Sequence, residues 1–181
     1  MLTLVRSISL FAVLILTCGE IVSAQLTAGE TAKSITSIRQ QYAAINKRAA
    51  RYRKVKKELS GYSLEGGELI AYFDGPAVAK IVARHFGESG NTVEEYYYRN
   101  GQLIFVFEKV SRYSRPLSGK VVSTVEHRFY FQDDNLIRWL GEKGQQVVVS
   151  EEYRLKEKVL LENSNDFVIG ARATKAVIEA S

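Results

Sequence analysis

The sequence predicts an α+β fold: an antiparallel β-meander of about six strands, with a long N-terminal amphipathic helix before it and one or two C-terminal helices packed on it. Three observations carry this reading. Apolar residues recur at spacings of three and four up to Ser60, and beyond Gly66-Gly67 the period shortens to two. The strand-like runs are joined by local turns, at Asp74-Gly75-Pro76, Asn100-Gly101 and Asp133-Asp134-Asn135, too short for parallel crossovers. A helical period returns after Ser150.

Residues 1–24 have the layout of a secretory signal peptide. Arg6 supplies a minimal basic start, Ile8 to Leu16 is apolar apart from Ser9, and Val22-Ser23-Ala24 offers small residues for cleavage before Gln25. The apolar run is short for a membrane span. Ile15-Leu16-Thr17-Cys18-Gly19 also resembles a bacterial lipoprotein signal, with Thr17 where such signals carry Gly, Ala or Ser. Under the signal-peptide reading the chain's one cysteine, Cys18, is removed, which excludes disulfides and thiol catalysis. The expected organisation is therefore a signal at 1–24, a flexible leader at 25–30, and one α+β domain at 31–181. Localisation follows as exported, periplasmic or extracellular, with no transmembrane anchor after cleavage. Arg6 and Glu20 leave together, so the formal charge stays at +5. That balance favours anionic envelope polymers or lipid head groups as partners, and export argues against nucleic acid.

Taken in order, Ile35, Ile38, Tyr42, Ile45, Ala49 and Tyr52 form one stripe of a helix starting near Thr31, with Val55 and Leu59 continuing it to Ser60-Gly61. The same helix carries a basic cluster, of which Arg48, Arg51, Lys54 and Lys57 are candidate contacts for anionic polymer or lipid. Leu69 to Phe73 and Val78 to Phe86 read as strands. Next comes a hairpin closed by Asn100-Gly101, the strongest short-range hairpin signal, because both turn residues need positive φ. Lys120 to Phe131 and Leu136 to Leu140 complete the meander, and Val147 to Val149 reads as a last edge strand. Ser150 caps a helix to about Glu162, residues 163–166 break it, and Phe167 to Ala180 forms another, loosened by Gly170.

Strict alternation from the Asn-Gly turn places Tyr96, Tyr98, Leu103, Phe105 and Phe107 on one sheet face. Val93, Tyr97, Ile104 and Val106 fall on the other, together with Glu95 and Glu108. With the helices on the first face, Val93, Tyr97, Ile104 and Val106 are expected to form an open aromatic binding surface for a protein or small hydrophobic ligand. The stretch Tyr97-Tyr98-Arg99-Asn100-Gly101-Gln102-Leu103 resembles the hairpins of MORN-like repeats, with degenerate copies at Tyr72-Phe73 and Tyr130-Phe131.

Little in the chain nominates catalysis. The two histidines, His85 and His127, fall on strands separated by two others, and no zinc-ligand spacing is present. Neither a metal nor a cofactor is expected. Glu94 and Glu95 point to opposite faces, whereas Glu95 and Glu108 share one, where their like charges mark a solvated end or, in an enzyme, would flank a sugar. The expectation is an exported, non-catalytic binding protein of the bacterial cell envelope. The alternatives are a peripheral module using the basic helix and, more distantly, a glycan-acting enzyme with paired glutamates.

Overall fold

The computed structural model describes residues 27–180, so the signal-like segment and Cys18 lie outside the described residues. Helix α1 (Ala28–Arg48) precedes seven strands: β1 (Arg53–Ser60), β2 (Gly67–Asp74), β3 (Ala77–Gly87), β4 (Gly90–Arg99), β5 (Gln102–Tyr113), β6 (Val121–Gln132) and β7 (Asn135–Leu140). Helix α2 (Glu151–Arg172) and a short strand β8 (Val177–Glu179) follow. The fold is α+β as expected. The sheet has eight strands in the order β7-β6-β5-β4-β3-β2-β1-β8, antiparallel throughout except where β8 runs parallel to β1.

The two extra strands come from segments expected to be helical. Thr27 caps α1 through a reciprocal bond with Glu30, so the helix begins within the expected leader. It ends at Arg48 in a single 3-10 turn (Ala49–Arg51), and the chain then pairs with β2. Tyr52, Val55 and Leu59 satisfy a helical period, but Val55 and Leu59 also share one face of a strand. The ladder from Arg53↔Phe73 to Leu59↔Gly67 settles the choice. Residues 163–166 do not interrupt α2, because Ser164 faces the sheet and meets the Tyr98 hydroxyl at 3.0 Å. Val147 to Val149 forms no strand; only Gln146 bridges Leu140. Gly170 lies inside α2, where a Cβ would stand 2.6 Å from Ile178 of β8, so its absence admits that strand rather than loosening the helix.

The helices lie on opposite faces of the sheet, not on one. Ile35, Ile38 and Ile45 of α1 pack with Tyr97, Ile104, Phe105 and Tyr130, while Leu160, Phe167 and Ala171 of α2 pack with Leu69, Ile81, Tyr96, Val106 and Phe129. The fold has three layers, with the apolar body of the sheet buried on both sides.

Between Tyr98↔Leu103 and Tyr97↔Phe105 the β4–β5 ladder slips by one residue, leaving Ile104 without a partner. This β-bulge reverses the parity of β5 beyond it. Phe105 and Phe107 turn toward α1, Val106 and Glu108 toward α2, and Glu108 pairs with Glu94.

Lys57 illustrates how the C-terminal segment is fastened. It is buried on the α2 side of β1, and its Nζ donates to the carbonyls of Ala173 (2.7 Å) and Lys175, just past the end of α2. Replacing Lys57 with Met leaves those carbonyls unpaired and should lower stability by about 1–3 kcal/mol. Urea unfolding of the two forms measures this, and a midpoint unchanged in Lys57→Met would contradict it.

Candidate functional site

The surface expected to bind is closed. Tyr97 and Ile104 are buried beneath α1, Val106 lies on the opposite face beneath α2, and Val93 is half-buried near the β4 end. The Tyr97 hydroxyl meets Asn46 of α1 at 3.2 Å and donates to Glu95, which also binds Lys80 at 2.8 Å. Burial, then the Glu95 carboxylate, pushes this hydroxyl well above its ordinary range, so it stays protonated and locks α1 in place.

The basic cluster is divided as well. Arg48 and Arg51 stand at the end of α1 and in the turn beyond it. Lys54 lies on β1, stacked over Tyr72 at 5.4 Å, and Lys57 is buried on the other face. Arg48 approaches Asp74 at 3.6 Å. These four residues share no helix face, because the helix stops before Lys54.

Glu95 and Glu108 do not act together, since the bulge puts them on opposite faces. What it joins instead is Glu94 with Glu108, each less than a tenth exposed and paired across neighbouring strands. His85 from β3 reaches Glu94 through Nε2 at 3.2 Å, and the Tyr96 hydroxyl donates to the same carboxylate oxygen at 2.7 Å. Lys156, descending from α2, donates to Glu108 Oε1. His127 is the cross-strand partner of Glu108, and its Nδ1 accepts from Trp139 Nε1 at 3.1 Å. A tryptophan N–H only donates, so His127 Nδ1 carries a lone pair. Both histidines thus stand on the α2 side of the sheet beside the glutamates. Among the described residues no group of His, Cys, Asp or Glu has the arrangement to hold a metal ion.

A cleft of about 460 Å³ opens beside this cluster. Its lining includes His85, Glu94 and Glu108 from three adjacent strands, Tyr62 from the β1–β2 loop, Asn163 from α2, and Arg112 at an exposed position. Tyr62 leans over His85 and Phe167, with ring centroids 6.3 and 5.1 Å away, and its hydroxyl contacts Asp166 at 3.4 Å. Burial, reinforced by the Asp166 charge, pushes that hydroxyl up to about 12. Every bond Glu94 accepts ends on Oε2, and the bond to Glu108 ends on Oε1. Among the described residues, one oxygen of each carboxylate therefore has no hydrogen-bond partner. His85 Nδ1 is buried without a partner.

Sequence reasoning missed Glu94, His85 and Lys156 as one group. Glu94 and Glu108 sit fourteen positions apart on a hairpin, and their pairing depends on a bulge that no turn residue announces. No family model, curated protein or solved structure matches the chain.

The Glu94 carboxyl feels opposing effects. Burial raises its pKa, but the hydrogen bond and charge of His85, the charge of Lys156 and the Tyr96 hydroxyl together outweigh that, leaving it below the ordinary value of 4.5. A depressed carboxyl in the folded state contributes stability that is present above the unfolded value and lost as pH falls through the folded one. Stability of the native chain should decline below pH 4.5, and Glu94→Gln should flatten that decline. Thermal unfolding across this range tests it; identical pH profiles for the two forms would refute the assignment.

Proposed function

We propose that the chain is an exported, non-catalytic binding protein of the bacterial cell envelope, and that it holds a small polar ligand in the cleft beside α2. The observation that carries the reading is the Glu94–Glu108 pair: two buried carboxylates on adjacent strands, each with an oxygen unengaged, beside a cleft of small-ligand size. Burying two carboxyl groups on neighbouring strands costs free energy, and such arrangements concentrate at functional sites. Free acceptors call for a ligand that brings N–H or O–H donors, as an amine or a polyol does. Asn163 and the Tyr62 ring add an adaptable amide and a flat apolar wall.

Binding fits this chemistry better than proton transfer. Glu94 is held below its ordinary pKa, away from the protonated acid that glycoside cleavage requires, and Glu108 is engaged by Lys156. Export rests on the signal-like character of residues 1–24.

Titrating residues 25–181 with arginine, glucose and citrate, followed by amide NMR shifts, tests the proposal. Arginine or glucose should perturb the strands around Glu94 and Glu108 at up to about 10 mM, and citrate should not. Glu94→Gln together with Glu108→Gln should weaken the bound probe at least about tenfold. Citrate occupying the cleft, silence from both donor probes, or unchanged binding by the double variant would each defeat the reading.

A further inference from the structure

We propose that the groove between α1 and strands β5–β6 is a second ligand site, for a small molecule with a flat apolar body and one anionic group. The groove holds about 580 Å³ and shares no lining residue with the cleft on the opposite face. Phe105, Phe107 and Tyr130 form its floor, and Tyr42 of α1 forms a wall that remains 38% exposed. These rings meet at varied angles. Tyr42 stands edge-on to Phe105 with centroids 5.4 Å apart, and Phe105 is tilted against Tyr130 at 5.0 Å. The helix that covers the centre of this face leaves Phe107 only partly buried. An apolar surface thus stays reachable inside a concave site, where a planar body gains both area burial and ring contact.

The rim decides the charge of the occupant. Arg39 of α1 lies 5.7 Å from the Tyr130 ring centre and uses Nε on the Tyr130 hydroxyl at 3.4 Å, and among the described residues its terminal nitrogens have no hydrogen-bond partner. On the other side Arg128 lies over Phe107 at 5.3 Å and spends part of its fork on Glu126 at 2.8 Å. Two guanidiniums face one carboxylate, so the groove carries a net positive charge beside its aromatic floor. Arginine held over aromatic faces presents donors suited to a carboxylate or sulfonate while its flat side contacts the apolar body. A neutral hydrocarbon leaves those donors unused, and a cation is repelled.

The matched probes are 8-anilino-1-naphthalenesulfonate and N-phenyl-1-naphthylamine, which differ by the sulfonate. Fluorescence titration of residues 25–181 should show the sulfonate bound at one site per chain, with near-UV circular dichroism preserved. The neutral amine should bind at least about tenfold more weakly. Arg39→Gln with Arg128→Gln should bring the sulfonate down to the affinity of the amine, and added salt should weaken the sulfonate alone. Tyr42→Ala should weaken both probes. Arginine or glucose titrations of the cleft should be unaffected by these variants, which separates this site from the other. Equal affinity for the two probes, a double variant that binds the sulfonate unchanged, or Tyr42→Ala without effect would overturn the proposal. So would sulfonate fluorescence that appears only as the near-UV signal is lost.

Discussion

Ile104 sits between two cross-strand pairs, Tyr98 with Leu103 and Tyr97 with Phe105, and has no partner of its own. Everything beyond it on β5 is turned to the face opposite the one that simple alternation assigns. Phe105 and Phe107 join the α1 layer and floor its groove, while Val106 enters the α2 core. Glu108 meets Glu94 instead of Glu95. Without the bulge, Glu108 would face the layer where Glu95 is already satisfied by Lys80, and Glu94 would stand alone beneath α2. Both candidate sites exist because one residue is skipped.

Each helix is then fastened by a polar lock as well as by apolar burial. On one side Asn46 of α1 joins Lys80, Glu95 and Tyr97. On the other, Lys156 of α2 reaches Glu108, and the Tyr153 hydroxyl donates to the Leu136 carbonyl at 2.6 Å. Buried ion pairs contribute little net stability, but breaking one leaves an uncompensated charge, so they penalise a helix that docks in the wrong place. The locks differ in what surrounds them. The α1 lock is enclosed by Tyr42, Tyr97 and Phe105, whose rings pack within 6 Å of one another. The α2 lock adjoins a cleft and keeps unengaged oxygens, which is why it is read as a site and the other as a fastening.

The meander was legible in the sequence because its turns are chemically explicit. Asn100 and Gly101 both take positive φ, as do Gly75, Asp133 and Asp134, so the hairpins fall where the turn residues stand. What could not be read was decided by partners distant in sequence. Residues 53–60 fit either period and became a strand because β2 offers a ladder on one side and β8 another. Residues 163–166, polar enough to look like a loop, stay helical because Tyr98 receives Ser164 and the turn that follows brings Phe167 into the core. The basic residues from 47 to 57 form one run in sequence, yet a helix end and a strand's two faces divide them.

The division of charge between the faces follows from the same geometry. Side chains alternating along β4 and β5 give the α2 layer Glu94 and Glu108, and give the α1 layer Phe105 and Phe107 beside Arg128 of β6. The α2 side thus presents acceptors in search of donors, and the α1 side presents cations over aromatic rings. A net charge of +5 describes neither surface. Whole-chain electrostatics favours anionic partners only where cations outnumber carboxylates, as around the α1 groove, where Arg39 and Arg128 face Glu126 alone. At the cleft the balance differs: Lys156 and His85 are engaged by the glutamates, and the exposed Arg112 shares the lining with the carboxylates. The chemistry that each surface offers is therefore set locally, by which face of two strands a side chain occupies.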